Sequence, residues 1–270
     1  MKETRGITDQ QFQHMRDWLY HRSGIHLNAS KKSLVTGRLH KRLLELNVDN
    51  FDAYLRLVKQ PGQEHEAQLA LNLLTTNETY FFREPKHFQF LDELLAQHLL
   101  PKRSQVLSAA ASSGEEAYSV ALSLAAAFGL HESWQITGTD INTRVLDHAR
   151  SGIYPLADSV KIKPDLLKAY CVRGKGKDQG WFRIRPEVRQ HVQFQQHNLM
   201  QPLELGKKFD LIFLRNVLIY FELADKKQIV NHMLNALKPG GFLLVGHSES
   251  IHGYDARLQQ LKTACYRFQP

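Results

Sequence analysis

Apolar residues recur at spacings of three and four between Thr8 and Arg22, where Phe12, Met15, Trp18 and Leu19 gather on one side and predict an amphipathic helix. Thr8 with Gln11 three residues on has the form of a capping box, and Ser23-Gly24 stops the helix. Similar patterns predict helices near Ser30 to Asn47, from Phe51 to Val58 before Pro61-Gly62, and from Glu64 to Leu74. The pattern changes after Gln105. Short apolar runs at Val106 to Ala109, Trp134 to Asp140, Phe209 to Leu214, Phe242 to Val245 and Thr263 to Phe268 read as strands. Helical stretches at Gly114 to Phe128, Arg144 to Arg150 and Asp225 to Leu237 separate them, and Lys238-Pro239-Gly240-Gly241 reads as a turn. Strands alternating with helices imply a mostly parallel sheet covered on both faces, an α/β fold. Three glycines in the charged run Arg173 to Gly180 mark another turn, flanked by strand candidates Trp181 to Arg185 and His191 to Phe194. This stretch predicts a small antiparallel insertion over 170–195, with an all-helical domain over 1–74, a linker over 75–104 and the α/β domain over 105–270.

The length of 270 residues suits one large domain or two small ones. An apolar fraction of 43% can build a sizeable core and argues against disorder. The most apolar window, Tyr118 to Leu130, is too short for a bilayer, and no apolar stretch follows the first residues as in a secretory signal. Two cysteines, Cys171 and Cys265, exclude a disulfide scaffold and make a reducing cytoplasm the expected location. A net charge of +8 suggests an acidic partner.

Candidate chemistry concentrates where the first strand meets its helix. Ser108 to Gly114 is a run of small residues that lets the backbone approach a ligand closely. It is not the dinucleotide fingerprint, because only Gly114 is a glycine and Glu115 and Glu116 follow at the helix start. Two carboxylates would repel a pyrophosphate and suit a ligand bearing an amino group and a sulfonium. Either glutamate alone could equally serve the helix N-terminus through the macrodipole. Asp140, at the end of the second strand, suits a ribose diol or the cap of the next helix, with Asn142 competing for the cap. The strand Phe209 to Leu214, the helix after it and the Pro-Gly-Gly turn resemble the fourth and fifth strands of class I methyltransferases. Together these features favour S-adenosylmethionine, with S-adenosylhomocysteine as product, over a nicotinamide cofactor. Fourteen histidines form no H-E-x-x-H pattern and there is no C-x-x-C, so no metal is expected; His247, after a strand end, reads as a surface or supporting residue.

Three further segments narrow the resemblance: Leu74 to Glu84 (LTTNETYFFRE), Leu107 to Glu116 (LSAAASSGEE) and Phe213 to Phe221 (FLRNVLIYF). In this order they resemble the CheR family, the chemotaxis receptor glutamate O-methyltransferases, and the likeness covers nearly the whole chain. It implies a class I methyltransferase doubly wound sheet with a helical N-terminal receptor-docking domain and a small antiparallel β insertion. Asn77, Thr79 and Arg83 then correspond to cofactor-reaching linker residues, with Arg83 beside the transferred methyl. Glu116 corresponds to the contact with the methionine moiety, Asp140 to the ribose ligand, and Asn198 and Leu199 to the adenine contacts. Arg215 and Asn216 correspond to cofactor contacts after the fourth strand, Tyr220 to a catalytic tyrosine near the reacting carboxylate, and Arg173 to an arginine at the mouth of the site. Ala117 stands where the family usually has proline, and Lys177 where a proline often follows the Gly-x-Gly of the insertion.

The implied reaction esterifies a glutamate on the cytoplasmic region of a chemoreceptor. With an ordinary pKa of about 4.3 that carboxylate is already ionised, so no general base is required. In the second helix Val35, Leu39, Leu43 and Leu46 form an apolar stripe, while Arg38, Lys41 and Arg42 lie at i, i+3 and i+4 on another face. In this family such a basic face would dock an acidic receptor bundle, and the insertion could hold a receptor tail peptide. A nucleic-acid methyltransferase is disfavoured, because Arg215-Asn216-Val217-Leu218 lacks the Asn/Asp-Pro-Pro-Tyr/Phe of amino-methylating enzymes. A non-catalytic cofactor-binding adaptor is the other alternative. Neither nucleic-acid binding nor direct membrane insertion is expected.

Overall fold

The computed structural model describes residues 6–270. The first five residues of the expected N-terminal domain lie outside the described residues. The chain separates into two compact units, one holding the described residues up to Thr76 together with Tyr220–Asp225, the other Asn77–Ile219 and Lys226–Pro270.

The first unit is helical: α1 (Asp9–Ser23), α2 (Lys32–Glu45) after a short 3₁₀ turn, α3 (Phe51–Val58) and α4 (Glu64–Leu74). Thr8 begins α1 with a full capping box. Its hydroxyl accepts the Gln11 N–H at 3.2 Å while its own N–H donates to Gln11 Oε1 at 3.1 Å. Gly24 ends the helix in the left-handed region at φ 74°. α1 packs on α3 and α2 on α4, burying Met15, Leu19, Val35, Leu39, Leu43, Tyr54 and Leu71. Among the described residues no helix is long and apolar enough to cross a membrane.

The second unit opens with α5 (Pro85–Ala96), a helix in the stretch read from sequence only as a linker. Its apolar face, Phe88, Phe90, Leu91, Leu94 and Leu95, is buried. The remaining order is β1 (Gln105–Ala109), α6 (Glu115–Phe128), β2 (Gln135–Asp140), α7 (Thr143–Ser151), β3 (Ile153–Pro155), α8 (Pro164–Tyr170), β4 (Cys171–Arg173), β5 (Trp181–Ile184), α9 (Pro186–Arg189), β6 (Val192–Gln196), β7 (Phe209–Leu214), α10 (Leu223–Ala236), β8 (Leu237–Val245), β9 (Leu258–Lys262) and β10 (Cys265–Phe268). Seven strands form one mostly parallel sheet in the order β6-β2-β1-β7-β8-β10-β9. The chain steps from β1 to β2 and β6 on one side, then returns to β7 and β8 on the other. β1 is therefore the topological switch point, where sheets of this type bind ligands beyond the carboxyl ends of their strands.

Three expectations change. The segment Val192 to Phe194 pairs parallel with β2 at the edge of the main sheet and is not part of the insertion. The third strand of the antiparallel insertion is instead Ile153–Pro155, so the order is β3-β5-β4. β6 is a five-residue edge strand with a single buried residue, Val192, so its sequence pattern carried no sign of which strand it would pair with. The Lys238 to Gly241 segment lies inside β8, where the pairing shifts register beside Phe209 and Leu211.

Candidate active site

The loop between β1 and α6 folds back on itself. Ala110, Ser112 and Gly114 have φ of 61°, 49° and 97°, left-handed positions that small side chains tolerate best. A Cβ on Gly114 would lie 2.9 Å from both Ala149 Cβ and Tyr154 Oη, so glycine is required there by packing as well as by φ. Asp140 closes β2 next to this loop. Its carboxylate accepts the main-chain N–H of Ser112 and of Asn142, each at 2.9 Å, and only 8% of the residue is exposed. Burial pushes its pKa up, while those N–H groups favour the charged form. Asn142, not Asp140, caps α7, its Oδ1 accepting the Val145 N–H at 3.2 Å. The Ser112 hydroxyl donates to the Asn77 carbonyl at 3.0 Å, tying the chain before α5 to the loop.

A second group of contacts lies at the carboxyl ends of β7 and β8. Arg215 directly follows β7 and its side chain is 1% exposed. Its guanidinium donates to Glu116 Oε2 at 2.7 Å, to Glu84 Oε2 at 3.1 Å and to the carbonyl of Arg83. Glu116 also accepts the Ser108 hydroxyl at 2.7 Å. One guanidinium therefore joins all three motif segments: Arg83-Glu84, Ser108 to Glu116, and Arg215-Asn216. Asn216 is left-handed at φ 55°, and its amide donates to Glu84 Oε1 at 3.1 Å. Glu84, itself at φ 57°, begins α5 ahead of Pro85. Burial opposes its ionisation, but His87, Asn216 and Arg215 outweigh that and hold its carboxyl well below the usual range.

The remaining candidates are distributed as follows. Arg83 is half-buried, its Nη1 donating to the Glu78 carbonyl at 2.7 Å and its guanidinium lying 5.7 Å from the Tyr80 ring centre. Thr79 is half-buried. Asn198 turns the chain after β6, its side chain accepting the Met200 N–H at 3.0 Å, and Leu199 beside it is buried. Arg173 is exposed on β4. Tyr220 belongs to the helical unit, where its carbonyl accepts the His26 N–H at 2.8 Å.

The basic face of α2 is largely committed within its own unit. Arg38 donates to the Leu74 and Thr75 carbonyls, each at 2.9 Å, closing the end of α4. Arg42 grips the buried Glu66 through Nε at 2.9 Å and Nη2 at 2.5 Å, and the Tyr54 hydroxyl donates to the same carboxylate at 2.7 Å. These bonds, led by Arg42, lower the pKa of Glu66 against its burial. Lys41 alone of the three is freely presented, with its side chain 87% exposed and Glu45 3.7 Å away.

Sequence reasoning missed Glu84, His87 and Glu249, and left His247 as a supporting residue. His87 and His247 stack at 4.4 Å, and their Nδ1 atoms lie 3.2 and 3.3 Å from Glu84 Oε2. Among the described residues Glu84, His87 and His247 are a group with metal-ligand spacing, but the Arg215 guanidinium already counters the same carboxylate oxygen. The only sequence signal for these residues was their position beside the motifs, at a helix start and just beyond a strand end.

The switch-point loop of small residues, the carboxylates of Asp140 and Glu116, and the absence of a glycine-rich phosphate cradle fit a ligand with a ribose and a cationic methionine end. Residues 77–267 match the family described as CheR methyltransferase, SAM binding domain, and residues 10–75 its all-alpha domain. The fold and the site are those of an S-adenosylmethionine-dependent class I methyltransferase. The chain is 39% identical over 255 residues to the chemotaxis protein methyltransferase of Salmonella typhimurium, covering 93% of this chain and 87% of that one. It is 38% identical to the chemotaxis protein methyltransferase of Escherichia coli, covering 95% and 90%. With chemotaxis protein methyltransferase 2 of Pseudomonas aeruginosa it shares 40% over 90% and 88%. The chain belongs to the CheR methyltransferase family.

Proposed function

We propose that this protein methylates glutamate side-chain carboxylates on the cytoplasmic region of chemoreceptors, giving methyl esters that adjust sensory adaptation, and that it works in the cytoplasm. The observation that carries this reading is the match over more than nine-tenths of the chain to proteins named chemotaxis protein methyltransferases, joined to the meeting of three motif segments at the Arg215 guanidinium.

Bound S-adenosylmethionine supplies the electrophilic methyl group. The protein's own task is to hold a carboxylate oxygen in line with it and keep water away; positioning of this type contributes ~7–11 kcal/mol. Arg83 orients the incoming carboxylate, and Tyr220 steadies its second oxygen through the hydroxyl. Neither needs to move a proton. Asp140 holds the ribose, Glu116 the methionine end, Asn198 and Leu199 the adenine. Asn77, Thr79 and Asn216 complete the cofactor contacts. Arg215 serves by fixing Glu116, Glu84 and the Arg83 carbonyl, since its guanidinium is occupied by them. Docking of the receptor falls to α2, with Lys41 as the member of its basic face free to meet acidic groups and Arg38 and Arg42 holding that face in shape. Arg173, on β4, meets the substrate at the mouth of the site. The open edge of β4 is where a receptor tail peptide would add as a strand.

The test is transfer of a labelled methyl group to a chemoreceptor cytoplasmic fragment. Label released as methanol by mild alkali, and lost when the receptor glutamates are changed to alanine, is the expected result. Alkali-stable label, or label on nucleic acid, would overturn the reading.

A further inference from the structure

The segment after β7 makes a strained turn that nothing in its own sequence secures. Asn216 is left-handed at φ 55°, a cost an asparagine bears more easily than most residues but still bears. Its side chain is held from one side by Glu84. Its main chain is held from the other by Glu249, four residues beyond the end of β8. Glu249 Oε2 accepts the Asn216 N–H at 2.6 Å and the Gly246 N–H at 2.7 Å, and Oε1 accepts the Ile219 N–H at 3.3 Å. Only 6% of Glu249 is exposed, and burial pushes its pKa up while the main-chain N–H groups around it favour the charged form. A buried carboxylate is costly unless hydrogen bonds compensate it, and here the compensation comes from main-chain donors.

Gly246 is an independent sign that this contact shapes its surroundings. A Cβ at Gly246 would stand 2.5 Å from Glu249 Oε2, 2.8 Å from Asn216 Nδ2 and 2.9 Å from the Asn216 nitrogen. The end of β8 thus carries no side chain where Glu249 and Asn216 close on it. An ionised carboxylate offers about four acceptor sites on two oxygens, whereas the amide of glutamine offers one oxygen and would turn N–H groups toward a donor.

We propose that Glu249 is a positioning residue for methyl transfer: it clamps the Asn216 to Ile219 segment to the end of β8, and so sets where Asn216 meets the cofactor. This rests on the methyltransferase reading of the site and goes beyond it, because Glu249 acts through Asn216 and not on substrate. A displacement of about 1 Å in such a segment can lower a rate by about a hundredfold.

The experiment uses the full chain with Glu249→Gln and Glu249→Ala. Each is assayed for S-adenosylhomocysteine affinity by calorimetry, for thermal melting, and for kcat and receptor KM on a chemoreceptor fragment. Expected for Glu249→Gln is a still-cooperative melt a few degrees below the parent's, with affinity and kcat both down about tenfold or more and receptor KM unchanged; Glu249→Ala falls further in the first two. If Glu249→Ala does not fold, Gly246→Ala crowds the same clamp and should reproduce the pattern. A folded Glu249→Gln with the parent's affinity and kcat overturns the proposal. So does a lowered melting temperature with unchanged affinity and kcat, which would make Glu249 a stabilising residue only. The calorimetric arm needs no receptor, so failure of the parent to methylate receptors would count against the substrate reading while leaving the clamp testable.

Discussion

Arg215 gives the sharpest prediction at the scale of single residues. Removing one partner of a buried ion group leaves the others uncompensated, at about 3–5 kcal/mol. Arg215→Leu should therefore destabilise the α/β unit by that order in urea unfolding, besides abolishing cofactor binding, because Glu84 and Glu116 are each left without their cation. Acid should act on the same neighbourhood. Burial lowers the pKa of His87 from about 6.5, so the unfolded chain takes its proton first and stability falls as pH drops below that value. Glu84 and Arg215 face the same ring, the former favouring its protonation and the latter opposing it, as does His247. The depressed Glu84 contributes stability fully above about 4.3 and loses it as pH falls toward its folded value. Melting temperature against pH should thus decline in two stages, and His87→Gln should flatten the first. A single decline below pH 5 in the parent would contradict this. For catalysis, Arg83→Ala should reduce single-turnover methylation by about a hundredfold, Tyr220→Phe by less because the ring stays, and the exposed Lys168→Ala by almost nothing.

At the scale of elements, α1 and α2 make separate tests. Thr8→Ala should cost about 1 kcal/mol in the helical unit, since the hydroxyl closes the capping box. Charge reversal at Arg42 would strike the Glu66 and Tyr54 bonds and weaken the α2 to α4 packing, so a raised receptor KM in that variant would mix folding with docking. Lys41→Glu isolates docking: KM for the receptor should rise and become less sensitive to salt, with S-adenosylhomocysteine affinity unchanged. Elements with strong local signals were legible in the sequence. Phe51–Val58, Glu64–Leu74 and Phe209–Leu214 agree residue for residue: Asn50 caps the first, Pro61-Gly62 separates it from the second, and the third is apolar but for Asp210. α5 was not predicted: Glu84 before it makes no side-chain cap, although Pro85 is a usual first residue of a helix. The β6 segment was expected in the insertion and β3 was not predicted at all, because pairing partners far apart in sequence leave no mark on a short strand. The family motifs made Glu116, Arg215 and Asn216 legible as one site. What spacing could not convey is that the Arg215 guanidinium turns inward to tie the segments together, or that Arg38 and Arg42 are spent on α4 and Glu66.

For the molecule as a whole, the carboxyl ends of β1, β2, β7 and β8 each deliver a residue to one region: Ala110, Asp140, Arg215 and Gly246. Cofactor binding should therefore stabilise the α/β unit by mass action, by ~2.7 kcal/mol at a hundredfold excess over Kd. Differential scanning with S-adenosylhomocysteine should show this, and NAD should produce no shift. The order of the last three strands has a consequence for how the chain is made. β9 has β10 as its sheet neighbour, and β10 lies between β9 and β8. During synthesis β9 leaves the ribosome before the strand that must seat it, so neither β8 nor β9 can complete its pairing until the segment through Phe268 emerges. A nascent chain stalled after Lys262 would hold an open β8 edge, a template for pairing with a neighbour on the same messenger. Arrested chains ending there should bind chaperones and resist native-state pulse proteolysis poorly, whereas chains extended past Phe268 by a linker long enough to clear the exit tunnel should be protected.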